Sequence, residues 1–199
     1  MDREAAKSIV EEFVQAPGLR RHMAAVDAAM RFYAAKLGED QPTWGLAGRL
    51  HDFDWEIHPT LAGHPKDGAP ILEQRGCPET VVTAILSHNT EGTGVERQRP
   101  IDFALLACDE ITGLIVAAAL IRPDKDIRQV KLKSVKKRWK SRPFAAGVDR
   151  EHVARACEDF SQACFDGDLE LWQHIQNILE AMQGAAVELE LDGRLASTP

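Results

Sequence analysis

The stretch PIDFALLACDEITGLIVAAALI, from Pro100 to Ile121, is apolar nearly all the way round a helix. A helix of that kind has to sit at the centre of whatever the chain builds. No uninterrupted apolar run reaches the roughly 18 residues of a membrane span, so burial in a protein core is the expected fate. Yet Asp109 and Glu110 stand in its middle. A bare carboxylate is costly to bury or is forced to protonate. A cation is therefore expected beside it, either an arginine from a neighbouring helix or a metal ion.

Helical periodicity also dominates the rest of the chain, and no convincing alternating strand is found. Helices are expected from about Arg3 to Val14 (capped by Asp2), Leu19 to Leu37 (stopped by Gly38) and Thr43 to Phe53. The Leu19–Leu37 segment carries an inward stripe of His22, Val26, Met30, Tyr33 and Leu37. Asp54 to Asp67, with Pro59, Gly63 and Pro65, reads as loop. A short helix to Gln74 follows, then one opened by Pro78 with Val81, Ile85 and His88 on one face. Residues 90 to 99 read as a flexible connection before the central helix. A basic helix, a helix capped by Asp149 and a last helix over DLELWQHIQNILEAMQ complete the pattern. The expectation is an all-α, single-domain helical bundle over 1–183, with 184–199 a poorly structured tail.

Composition narrows the function. With 199 residues and 44% hydrophobic content, one sizeable core can form. The N-terminus has acids where a secretory signal would be basic and then apolar, so a cytoplasmic protein is expected. Cys77, Cys108, Cys157 and Cys164 show no CxxC spacing and read as reduced, mostly buried thiols. The net charge of −7 argues against general nucleic-acid binding, but it is uneven. From Arg128 to Arg142 there are eight basic residues and no acid, which leaves −15 on the remainder. A homodimer is compatible with all of this, and no membrane partner is expected.

Several residues have the side chains of metal ligands. His22, His51, Asp52, His88 and Asp109 come from four expected helices, each turned toward the core. A histidine on an apolar face is more commonly a satisfied core residue, so each is weak evidence alone. Together, imidazole nitrogen and carboxylate oxygen in this ratio suit Mn²⁺, Fe²⁺, Co²⁺, Ni²⁺ or Zn²⁺.

With these residues in place, the chain resembles the HD-domain superfamily of metal-dependent phosphohydrolases. The likeness lies in RHMAAVDAAMRFYAAKLG, GLAGRLHDFDWE and ALLACDEITGL, and covers roughly residues 18 to 120. It implies His22, His51, Asp52 and Asp109 as primary ligands. HPKDGAPIL is similar to the HPxxGxxxL element of branches with two metals, which implies His64 and His88 as ligands of a second ion and Asp52 as the bridge. His58 competes with His64 for that place, and the Pro-x-x-Gly context favours His64. The chain departs from the HD-GYP branch in having His88-Asn89 for two adjacent histidines and no GYP signature, so cyclic-dinucleotide hydrolysis is not supported.

The resemblance implies one or two divalent ions and a small phosphorylated substrate, a nucleotide or related metabolite. Asp52 would serve catalysis as well as metal binding. Asp54 or Glu56 would hold the attacking water or protonate the leaving group, unless they are solvated loop acids. Lys66, Arg122 and Lys125 are the candidate phosphate partners. Two other readings use the same ligands: a di-iron oxygenase and a non-catalytic metal-binding signalling domain. His152 and His174, on late helices, are expected to be structural or exposed.

Overall fold

Apolar stripes at helical spacing leave the chain no alternative to helix packing, and the computed structural model, which describes residues 1–197, is all-α with no strand among those residues. Its packing groups into two compact units, Met1–Leu106 and Ala107–Pro199. Each is taken by itself. Thr198 and Pro199, part of the expected tail, lie outside the described residues.

In the first unit, α1 (Arg3–Phe13) is capped as expected: the Asp2 carboxylate accepts from the Ala5 N–H at 2.9 Å. α2 (Pro17–Leu37) opens on Pro17, whose missing N–H costs nothing in a first turn, and ends at Gly38 in the left-handed region. α3 (Gln41–Leu50) is capped by Asp40 and stops one residue before His51, so the His-Asp doublet follows the helix instead of occupying its last turn. α4 (Ala69–Gln74) and α5 (Glu79–Ser87) come next. The connection after α5 is not loose. Asn89 caps a one-turn helix, α6 (Thr90–Thr93), and Arg97 donates to the Ser87 carbonyl and the Thr90 hydroxyl.

The core of this unit contains Met30, Tyr33, Leu50, Phe53, Leu72 and Ile85, all fully buried. Each such side chain contributes roughly 1.5–3 kcal/mol on burial. Beneath it is a charge that the periodicity does not reveal. Asp27, on the inner side of α2, is fully buried and accepts from Arg49 (2.7 and 3.1 Å), Arg31 (2.6 Å) and Arg3 (3.0 Å), which ties α1, α2 and α3 together. α3 lies so close to α2 that a Cβ on Gly48 would stand 2.7 Å from the Asp27 nitrogen.

α7 (Pro100–Leu120) begins in the first unit and ends in the second. It is long and apolar enough to cross a membrane by length and composition, against the expectation from uninterrupted runs, and 56% of that window is buried within the protein. A buried core helix meets the same test.

The second unit adds α8 (Leu132–Trp139), α9 (Arg150–Phe165) and α10 (Leu171–Gly184). α8 buries Val135 and half-buries Leu132 and Trp139, while Lys133, Lys136 and Lys137 face solvent. Asp149 caps α9 as expected. The segment after Gly184, expected to fray, is anchored. Leu189 and Leu191 are fully buried, the Ile127 N–H donates to the Leu191 carbonyl at 2.8 Å, and Gln183 donates to Ile127 and Val130. All four cysteines are free thiols and three are buried, as read from their spacing. Burial pushes Cys157 up to about 12 and Cys77 to about 11.

Two predictions follow from these interiors. Asp27→Ala leaves the buried Arg49 guanidinium without its counter-charge and is expected to cost about 3–5 kcal/mol in urea unfolding. In the second unit, His174 is fully buried with Nε2 donating to the Ala107 carbonyl, and burial lowers its pKa from 6.5 to about 4. The unfolded chain thus takes up a proton below pH 6.5 that the folded chain refuses until about 4. Stability present above 6.5 is lost on acidification, by about 3 kcal/mol in all. His174→Gln should flatten the urea midpoint against pH over that window; an unchanged slope would show that other groups set it.

Candidate metal centre

The residues following α3 form a series of turns, and this places Asp52 where α2, α3 and α5 converge. His22 reaches it from α2, His51 from the end of α3, and His88 from the C-cap of α5. His64 comes from the turns that precede α4. The result is two triads of potential ligand atoms: His22, His51 and Asp52, and Asp52, His64 and His88. Within each triad the atoms lie within 4.8 Å of one another. Asp52 belongs to both. Its Oδ2 faces His51 Nε2 at 3.4 Å and His22 Nε2 at 3.6 Å, and its Oδ1 faces His64 Nε2 at 3.1 Å and His88 Nε2 at 3.9 Å.

Hydrogen bonds at the far side of each ring decide which nitrogen points inward. His51 Nδ1 lies 3.0 Å from the Gly48 carbonyl, and His88 Nδ1 contacts the Ile85 carbonyl. A carbonyl oxygen only accepts, so both Nδ1 atoms carry the proton and both Nε2 atoms present a lone pair to Asp52. His64 Nδ1 lies 2.7 Å from Asp54 Oδ1. The inward nitrogens then meet in pairs: His22 Nε2 to His51 Nε2 at 3.1 Å, and His64 Nε2 to His88 Nε2 at 3.0 Å. Two lone pairs so placed repel each other unless a cation or a proton lies between them. This donor set, with the outer nitrogens of His51, His64 and His88 already engaged, fits a divalent ion of the borderline class.

The proton is the competitor. Burial works against a charged His64, but the carboxylates of Asp52 and Asp54 outweigh it and lift its pKa from 6.5 to about 9. In the metal-free protein that protonated ring stabilises the fold fully below pH 6.5, and the contribution is lost as pH rises through about 9. An ion binding here near neutral pH would have to displace this proton.

The surroundings are apolar and largely closed. His51 is fully buried and the His64 side chain is 3% exposed, whereas Asp52 is 18% and His22 21% exposed, so one edge of the cluster reaches solvent. The Trp55 ring stands edge-on to His64 with centroids 5.0 Å apart. Neither triad contains His58.

The other expected site residues lie as follows. Asp54 is fully buried, with its carboxylate against the His64 ring. Glu56 is exposed, and its two carboxylate oxygens accept the Gln15 and Ala16 N–H groups at 2.8 Å each, closing the loop between α1 and α2. Those bonds hold its carboxyl below the usual range. Neither is placed as the expected acid or base. Lys66 is exposed. Arg122 is paired with Asp124 at 2.6 and 2.8 Å, and Lys125 donates to the Leu195 carbonyl at 3.1 Å, so both support the second unit's own segment after α7. Asp109, half-buried on α7 in the second unit, is in neither triad, and its neighbour Glu110 lies 3.4 Å from His152. His174 is structural.

Asn89 was missed. It donates to the carbonyls of His64 (2.7 Å) and Leu61 (2.8 Å) while capping α6, and so pins the His64 segment to the end of α5. An asparagine directly after an apolar helical run, followed by Thr-Glu-Gly, was the available cap signal.

No family model, no curated protein and no solved structure matches this chain.

Metal content tests the arrangement. Protein purified without chelators is expected to carry about two divalent ions per chain, a bridging carboxylate being the usual link in two-metal sites. His64→Ala should lower this to about one and Asp52→Ala should abolish it, with the helical circular dichroism retained. Equal metal content in all three proteins would remove Asp52 from the site.

Proposed function

We propose that the protein is a metal-dependent phosphohydrolase of the HD-domain type, acting on a small phosphate ester, a nucleotide or related metabolite. What supports this reading most is the division of Asp52, one oxygen toward each histidine pair. A hydrolytic site of this class uses such a shared carboxylate to hold two charges at one place. The order of residues along the chain, His22, His51-Asp52, His64 and His88, is the order the resemblance implies, and it adds Asp109 to the set.

A divalent ion bound here supplies a water of lowered pKa and polarises a phosphoryl oxygen. The chain's own residues do the rest. His51 and His64 close the inner side of the cluster to water, and the open edge at Asp52 and His22 is where a substrate enters. The tautomers set by Gly48 and Ile85 keep Nε2 unprotonated and facing inward. Lys66 stands as the phosphate-facing cation, since Arg122 and Lys125 are engaged elsewhere. The same reading has the protein acting in the cytoplasm on a soluble substrate, with neither nucleic acid nor membrane as partner.

Phosphate release from a panel of nucleoside monophosphates and sugar phosphates, with Mn²⁺ or Co²⁺ added, tests it. Turnover is expected to depend on metal and to fall roughly a thousand-fold in Asp52→Ala, the several kcal/mol that a metal centre contributes to such a reaction. Copurified iron with oxygen-dependent turnover would replace the hydrolase with an oxygenase. Bound metal with no turnover of any substrate would make this a binding domain.

A further inference from the structure

We infer that Asp54 is a positioning residue: its buried carboxylate fixes the His64 ring so that Nε2 is the atom offered to a metal ion. The inference rests on the metal-centre reading above and extends it to a residue outside both triads.

The geometry is unusual for a residue with only a packing role. Asp54 is fully buried, with Oδ1 2.7 Å from His64 Nδ1. Its other oxygen, Oδ2, is buried without a hydrogen-bond partner among the described residues. Oδ2 lies against Gly68, where any Cβ would collide with the carboxylate. A buried carboxylate with one orphaned oxygen costs more than an apolar side chain of the same size. The bond to His64 is what that cost maintains.

Comparison within the site points the same way. The Nδ1 atoms of His51 and His88 are each held by the carbonyl three residues earlier, Gly48 and Ile85, which their own helical turns supply. For His64 the carbonyl three residues earlier, that of Leu61, accepts from Asn89 instead, and the Asp54 carboxylate takes its place at Nδ1. A carboxylate is the stronger acceptor, and behind a ligating imidazole it both orients the ring and makes the opposite nitrogen a better donor. From the other side, Asn89 holds the His64 carbonyl at 2.7 Å. Ring and main chain are thus both fixed before an ion arrives.

Cobalt titration of metal-stripped protein, followed by its visible absorption, tests this in the wild type, Asp54→Asn and Asp54→Ala. Asparagine can accept the same Nδ1–H without the charge and is close in shape, so it guards against a variant that does not fold. The wild type is expected to bind about two Co²⁺ per chain. In Asp54→Asn the second ion should bind about 10–100-fold more weakly, with a shifted spectrum, while the first is unchanged. Asp54→Ala should bind one. In Zn²⁺-loaded protein, the His64 Nδ1–H resonance seen by NMR should be present in the wild type and absent in Asp54→Ala. Wild-type affinity and spectrum for both ions in a folded Asp54→Asn and Asp54→Ala would overturn the inference and leave the metal centre standing. A wild type that binds no cobalt would remove the metal centre and the inference with it.

Discussion

The close approach of α2 and α3 at Gly48 is the constraint on which the first unit depends. With no side chain there, α3 comes within 2.7 Å of the α2 backbone at Val26 and Asp27, measured from where a Cβ would stand. That approach carries Arg49 into reach of Asp27 and buries the ion pair, and the buried pair in turn holds the approach. His22 lies about one turn before the contact and His51 follows α3 directly. Their inward nitrogens are therefore brought to 3.1 Å by main-chain packing, not by adjustment of their side chains. Gly48 enters a second time through its carbonyl, which sets the His51 tautomer. One residue thus governs packing, ring orientation and the protonation state of a ligand atom.

The second triad is built on a different principle. Its histidines come from the end of a short helix and from an irregular segment, where no helix contact can fix both. Side chains replace helix packing: Asp54 at the ring, Asn89 at the main chain. These are directional bonds in a closed, low-dielectric setting, where they are strong when satisfied and costly when broken.

What was legible in the sequence follows this division. The helices and the caps Asp2, Asp149 and Gly38 could be read because each depends on residues within a turn or two. The candidate ligands His22, His51, Asp52, His64 and His88, which the structure gathers into two triads, were legible because those residue types are rare on apolar faces. The Asp27 hub was not: a lone acid four residues before Arg31 looks like an exposed helix pair, and only the distant Arg49 and Arg3 make it a buried one. The anchoring of 184–191 was equally invisible, because VELEL has no helical period and the Ile127 N–H that meets the Leu191 carbonyl is far away in the chain. Arg122 and Lys125 were assigned by charge and by their place just after the central helix, which says nothing of the acid or carbonyl each has already met.

Asp52, Asp54 and Glu56 show why proximity in sequence is a poor guide to role. They alternate over five residues, and strict alternation in an extended chain would put all three on one face. The chain turns here instead, with the Trp55 N–H donating to the Asp52 carbonyl and the His58 N–H to that of Asp54. Each acid then meets a separate environment. Asp52 is left at the open edge among four imidazoles, as a ligand requires. Asp54 turns its carboxylate inward, where Oδ1 meets the ring of His64. Glu56 turns outward to the Gln15 and Ala16 amides, where its charge caps a loop. The three carboxylates are chemically alike, and burial together with the nearest donor leaves one among four imidazoles as a candidate ligand, one against a single ring and one as the cap of a loop.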